Sequence, residues 1–359
     1  MTSRKSQGFT LIEIMVAIAI GALLLSGIIQ AFVGFKTTDR VSNSLSRVQE
    51  AGRTALDIMA KDLRLAGYKG CADPAIIENV NIIASNPPTT NFVQTSLRGF
   101  DVTATGWASG NTDLSSIDGT AAGDARLNSD VVSIMRASTA SSTLNEHDNN
   151  NSNVKVNGNP LKLDQGDIAI VSDCESMDIF RISNRQKDGA TNEFTFTHGN
   201  GSGVNTSNKL SKAYTDETAR LLTFVGHTYY VADTGRDTSQ GQPIYALFRL
   251  DSNGNAEEIV EGVENLQITY GEEFINGNRR FVPASNASLD MTQVTAIKIS
   301  ILVAGNEPIL ATDDGFTYPM EGANAQPASS GGAVTYENDR RLRKVFNMTI
   351  RMRNKRVSI

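Results

Sequence analysis

Residues 8–13 read Gly8-Phe9-Thr10-Leu11-Ile12-Glu13 and continue to Phe35 as IMVAIAIGALLLSGIIQAFVGF; Glu13 is the only charged side chain between Phe9 and Phe35. At about 1.5 Å per helical residue the run is roughly 40 Å long, enough to cross a bilayer. Ahead of it stands MTSRKSQG, with Arg4 and Lys5 and no acid. A secretory signal places a small-residue cleavage site after its apolar core. Here the small residue, Gly8, precedes the core, and Lys36, Asp39 and Arg40 follow it with no A-x-A-like site. A cut after Gly8 removes only the basic leader, residues 1–8, and leaves the apolar helix in place. A carboxylate within lipid costs about 2.5–3.5 kcal/mol on insertion scales and marks a functional position. The amine freed at Phe9 is a ready counter-ion for Glu13.

This arrangement of Gly8, Phe9 and Glu13 resembles the class III signal of type IV pilins and type II secretion pseudopilins. The resemblance implies that a prepilin peptidase cuts after Gly8 and methylates Phe9. It also implies an N-in, C-out anchor in the bacterial inner membrane, which charge alone leaves open because Lys36 and Arg40 flank the far end.

Helical periodicity continues past Phe35. Val41, Leu45, Val48, Ala55, Met59, Leu63 and Ala66 recur at steps of three, four or seven, the stripe of an amphipathic helix. One helix is expected from Phe9 to Ala66, ended by Gly67 and Gly70. Its apolar half, 9–35, suits lipid or a filament core; its amphipathic half, 36–66, suits the face of a globular head, 67–359. Gly21, Gly27 and Gly34 either loosen the apolar half locally or serve as helix-packing positions.

The chain has 359 residues, 40% apolar and 20% charged, enough to bury a core; its net charge of −6 gives no overall basic field for nucleic acid. Abundant Gly, Ser, Thr, Asn and Asp between 72 and 340 favour a β-rich head with long loops. Strands are expected at 130–136, 167–174, 178–182, 193–197, 221–231, 244–250, 266–271, 296–303 and 345–352. The string NEHDNNNSN, 145–153, reads as a loop, as does 103–129. In the last strand Phe346, Met348, Ile350 and Met352 face inward, and Asn347, Thr349, Arg351 and Arg353 face water.

Further segments extend the resemblance: RLAGYKGC (64–71), IVSDCESMDIF (170–180), EEIVEGVENLQITYG (257–271) and FNMTIRMRN (346–354) are similar to the PilW group of minor pilins. Cys71 and Cys174 sit where that group carries cysteines. They are too far apart for a zinc or redox spacing, and an oxidising periplasm favours a disulfide between them. Closing a loop of about 100 residues is worth up to roughly 4–5 kcal/mol in the chain-entropy model. Similarity to the J-type pseudopilin is weaker and mostly N-terminal. Segments 103–129 and 306–339 resemble nothing nameable.

Other chemistry finds little footing. His147, His198 and His227 lie in separate segments, the first two in Asn/Gly-rich stretches that suggest solvated loops, and no hydrolase, zincin, dinucleotide or P-loop motif is present. Asp251, Asn253 and Asn255 alternate as in a calcium loop, but the glycine is fourth and no acid stands twelfth; a hairpin turn explains them more simply. Arg340, Arg341, Arg343, Lys344, Arg351, Arg353, Lys355 and Arg356 make the C-terminal end basic. A DNA-binding strand face is the remote reading there, and a solvated edge protected by charge is the preferred one. The expectation is therefore an α+β, type IV pilin-like, non-catalytic chain without cofactor. As the resemblance implies, it acts as a minor pilin in a priming or tip complex. Its partners would be other minor pilins, the major pilin, prepilin peptidase, the inner-membrane assembly machinery and a tip adhesin; a J-type pseudopilin is the alternative.

Overall fold

The computed structural model describes residues 10–71, 80–87, 92, 96–107, 112–119, 121–148, 151–214 and 217–354. Gly8 and Phe9 lie outside the described residues, as do Lys355 and Arg356.

A single helix, Leu11–Arg64, runs for 54 residues, roughly 81 Å if straight. Its end falls two residues short of the expected Ala66. Leu65 caps the helix, and Gly67, at φ 75°, turns the chain in a conformation that glycine adopts without penalty. From Leu11 to Asn43 every residue is exposed; burial begins at Ser44 and continues through Val48, Gly52, Ala55, Leu56, Met59, Ala60 and Leu63. Val41 and Leu45 belong to the expected stripe by spacing, yet both stay exposed: Val41 precedes the first buried residue, and Leu45 lies off the face that Ser44 and Val48 press to the head.

The buried half of the helix lies along a four-stranded antiparallel sheet, ordered Arg279–Val282, Val263–Glu273, Val294–Pro308, Arg341–Arg351. Ile297, Ile299 and Ile301 alternate toward the helix with Ile350 beside them, and Val132, Ile134 and Tyr229 of a second sheet close the same core. That second sheet has twelve strands threaded by Arg220–Asp237, which pairs with Ile168–Ser172 early and with Val131–Ala137 and Pro243–Asp251 later. The strand Arg220–Asp237 runs six residues past the expected end at 231, and its last four, Thr234–Asp237, form a polar edge. A third sheet of three short strands, Tyr318–Met320, Ala323–Pro327 and Val334–Tyr336, sits over the far face of the C-terminal strand.

The stretch 145–153 is not the loop that its asparagines suggest. Ser142–Asp148 is a strand and pairs with Asn153–Asn157, with His147 opposite Val154. Partnering across a sheet, which composition does not encode, overrides the local turn preference. Within 103–129 the described residues include a 3-10 turn, Thr112–Ile117.

Candidate functional site

At the start of the helix Thr10 and Glu13 form a capping box. The Thr10 amide and hydroxyl both donate to Glu13 Oε2 at 2.9 Å, and the Glu13 amide donates to Thr10 Oγ1 at 3.4 Å. The one carboxylate of the apolar half is thus held by its own chain. Thr-x-x-Glu ahead of an apolar run is the sequence signature of this cap. Further along, Ser26, Thr37 and Thr38 donate their hydroxyls to Leu23, Val33 and Gly34 carbonyls, which satisfies those three donors along the helix. Among the described residues nothing comes within 4 Å of a Cβ placed on Gly21, Gly27 or Gly34.

Three contacts fix the helix on the head. Gly305 passes beside Ser44 near the membrane-facing end, and Gly52 lets the Phe346 ring lie flat against the helix backbone. At the far end Asp62 reaches across to the second sheet. His227 Nδ1 and Tyr229 Oη lie 2.6 Å from its Oδ2, and Arg136 donates to Oδ1 at 3.0 Å. Burial alone would raise the Asp62 pKa, but the hydrogen bonds from His227 and Tyr229 and the charges of His227 and Arg136 hold it well below the usual carboxylate range. His227 is therefore a strand residue in an ion-paired cluster. Just past the helix, the sulfurs of Cys71 and Cys174 lie 2.7 Å apart on the surface.

The basic C-terminal strand differs from the expected solvated face. Phe346, Met348, Ile350 and Met352 do turn toward the helix and Asn347, Thr349, Arg351 and Arg353 toward water. Arg341 and Arg343, however, are buried on the far face. Arg343 meets Glu264 at 2.7 Å, Asp339 at 2.8 Å and Asp314 at 3.4 Å, and Arg341 meets Glu264 at 2.8 Å. Burial opposes the charge of Glu264, and the two arginines overcome it, holding the carboxyl below its ordinary range. Asp314 and Asp339 come from the stretch 306–339, so that segment's role is to seat the third sheet through a buried ion cluster. A nucleic-acid face thereby loses its two central cations.

Neither His147 nor His198 is solvated. Both are buried, with ring centres 5.6 Å apart; Tyr214 donates its amide to His147 Nδ1, while both His198 ring nitrogens lack hydrogen-bond partners among the described residues. Burial, with His147 beside it, pushes His198 down to about 4. Asp251, Asn253 and Asn255 form the hairpin turn, the Asp251 carboxylate accepting from both asparagine amides and from the Asn255 side chain. Among the described residues no three His, Cys, Asp or Glu side chains converge to hold a metal ion.

An apolar helix half standing free of a β-rich head, its other half laid along an antiparallel sheet, defines a membrane-anchored pilin-like subunit. Residues 3–29 match the prokaryotic N-terminal methylation motif. Residues 228–354 match the family model described as type IV pilus-assembly protein W. That second match spans the whole four-stranded sheet that receives the helix, together with the third sheet. Over those residues the chain is similar to the type IV pilus-assembly protein W family and to the methylated N-termini of pilins, a combination that supports a type IV pilus-related minor pilin. No curated protein and no solved structure matches it.

Proposed function

We propose that the chain is a non-catalytic minor pilin that enters a priming or tip complex of a type IV pilus. The observation that carries this reading is the coincidence of the PilW match with the sheet that seats the helix, while the helix half from Leu11 to Asn43 remains bare. A bare apolar half-helix must be covered, by lipid before assembly and by like helices in a filament afterwards.

In this reading residues 1–8 are the leader, 9–35 the membrane and filament half, 36–66 the seated half and 67–359 the head beyond the membrane. Prepilin peptidase cleaves after Gly8, Phe9 becomes the methylated N-terminus, and in assembly Glu13 offsets the Phe9 amine of a neighbouring subunit. The membrane topology is N-in, C-out, and Cys71 and Cys174 join once the head reaches an oxidising compartment. Partners are other minor pilins, the major pilin, the inner-membrane machinery and an adhesin at the tip. Asp251, Asn253 and Asn255 remain the candidate residues for a calcium ion.

The test is deletion of the gene with a complemented strain alongside, scored by counting surface pili under the electron microscope. Loss of pili with restoration on complementation is expected. Normal pili together with enzymes retained in the periplasm overturn the pilus reading in favour of a secretion pseudopilin. In the same cells, protein that retains Met1 removes the processing step, and two free thiols in the exported head remove the disulfide.

A further inference from the structure

Where the helix first meets the head, the two surfaces do not close on each other. Burial of the helix starts at Ser44, but a cavity of about 350 Å³ lies between this part of the helix and the end of the strand Val294–Pro308. Arg40, Asn43, Ser44 and Arg47 form its helix wall. Their spacing of three and four residues places all four on one face, within two turns. Glu261, Gly305 and Glu307 stand on the head side.

The lining carries charges of both signs that do not meet. Among the described residues Arg40, Arg47 and Glu307 form no ion pair, and all three are exposed. Glu261 is already engaged: Arg236 donates to it at 2.6 Å, and the Asn306 amide donates to it as well. Ser44 is 8% exposed, and its hydroxyl has no hydrogen-bond partner among the described residues. A buried hydroxyl in that state costs stability until a polar group meets it. Gly305 makes room beside it, because a Cβ there would stand 2.5 Å from Ser44 Oγ.

The position of the cavity along the helix sets its depth relative to lipid. The apolar run ends at Phe35, and Arg40 follows it by about 7.5 Å. The polar zone of a bilayer is about 5–7 Å thick on each side, so Arg40 stands at headgroup level. Helix side chains lean toward the N-terminus, and Arg47 therefore reaches back toward the same level.

We propose that this cavity receives the phosphoethanolamine headgroup of a membrane phospholipid while the subunit waits in the bilayer. The phosphate lies between the Arg40 and Arg47 guanidinium groups, which recognise its oxygens with charge-assisted hydrogen bonds. Ser44 and Asn43 supply further donors, and the ammonium group lies against Glu307. The acyl chains run back along the exposed Phe35 and Phe32. Two free cations beside one free acid select a zwitterionic headgroup. An anionic lipid without an amine leaves Glu307 unpaired beside its phosphate, and a choline has no N–H to donate to that carboxylate. The inference rests on the reading that 9–35 occupies the membrane. It adds a lipid partner that holds the head in one orientation above the bilayer.

The test uses the full chain in detergent micelles and native mass spectrometry. Phosphatidylethanolamine, phosphatidylglycerol and phosphatidylcholine with matched acyl chains are offered in equal amounts. Preferential retention of phosphatidylethanolamine is the expected result. Arg40→Gln combined with Arg47→Gln should weaken it about thirtyfold, the worth of two basic contacts at a lipid surface. Glu307→Gln should weaken it about fivefold and raise retention of phosphatidylglycerol. All three positions are exposed, so the variants fold. Equal retention of the three lipids, a preference for phosphatidylglycerol, or variants that retain lipid as the native chain does overturn the proposal. Free phosphoethanolamine at the same concentration should not displace the lipid, since it lacks the acyl chains; displacement reduces the site to one for soluble phosphates and overturns the lipid assignment. Carbonate washing of cell membranes checks the membrane reading separately. Release of the chain removes that reading and the proposal with it, whereas a chain that stays in the membrane pellet without the lipid preference removes the proposal alone.

Discussion

Gly52 of the helix and Phe346 of the C-terminal strand occupy space that admits only one side chain: a methyl group built on Gly52 would overlap the Phe346 ring. A glycine in mid-helix normally weakens the helix by about 1 kcal/mol relative to alanine. Here that local cost allows the helix backbone to approach the sheet at the centre of the seat.

Gly52→Val should therefore destabilise the protein despite valine's better helix propensity. Overpacking of this kind costs about 1–3 kcal/mol, more than the propensity gained. The check is the thermal midpoint of the full chain in micelles, followed by circular dichroism. Phe346→Ala combined with Gly52→Val should recover part of the loss, because the double variant relieves the overlap; strict additivity would mean that the two residues do not meet.

Asp62 ties the far end of the helix to the second sheet through His227, Tyr229 and Arg136. Its folded pKa lies below its unfolded one, so the stabilisation is fully present above the unfolded value, about 3.9, and fades as pH falls below that toward the folded value. Asp62→Asn should cost about 1.5–3 kcal/mol at pH 7, the range for hydrogen bonds to a charged group. It should also flatten the acid limb of stability between roughly pH 4 and 2. Thermal midpoints of the two proteins across that range decide it; parallel acid limbs would assign the acid sensitivity to other carboxylates.

Glu264 is buried between Arg341 and Arg343, with Asp339 and Asp314 completing the cluster. Glu264→Gln leaves two buried guanidinium groups with less compensating charge, a change that typically costs about 3–5 kcal/mol. The loss should fall first on the third sheet. Limited proteolysis should then cut within 306–339 in the variant and spare that segment in the native chain.

What the sequence displays plainly is what is encoded locally. Period and apolar length mark the helix through Leu63, and strict alternation marks the inner face from Phe346 to Met352. Arg341 and Arg343 read as part of a basic edge because their partner Glu264 lies 79 residues before Arg343 and Asp314 lies 29 before it. No local pattern announces such an encounter. His147 and His198 are hidden for a related reason: asparagines around them favour turns, and the rings that cover them, Tyr214 and Phe180, come from elsewhere in the chain. The Thr10–Glu13 cap, by contrast, is written in four consecutive residues. That cap holds Glu13 within its own subunit.

His198 contributes the opposite pH response to a paired histidine. Its pKa falls from about 6.5 to about 4 on folding, so the unfolded chain binds the extra proton between those values. Stability should decline as pH drops from 7 to 5, by at most about 2 kcal/mol for one such group. His198→Phe should remove that slope. It should also be neutral or mildly stabilising at pH 7, because the ring lies against Phe180 and gives up no hydrogen bond. Denaturation midpoints of both proteins at pH 7 and pH 5 settle the sign; a steeper acid decline in His198→Phe would locate the titrating group elsewhere.

Glu13 holds the helix N-terminus of its own subunit through Thr10, and the proposed role in assembly requires it to leave that cap for a neighbour's amine. The two roles separate under mutation. Thr10→Val removes the hydroxyl and keeps the carboxylate, so the cap loses about 1 kcal/mol while the charge needed by a neighbour remains. Glu13→Ala removes that charge together with the carboxylate half of the cap. Leader cleavage after Gly8 should proceed in each variant. Incorporation into sheared pili, measured by immunoblot against the membrane pool, should drop severely in Glu13→Ala and stay near the native level in Thr10→Val. Equal defects in the two would mean that the capping box itself, and not the carboxylate offered to a neighbour, is what assembly requires.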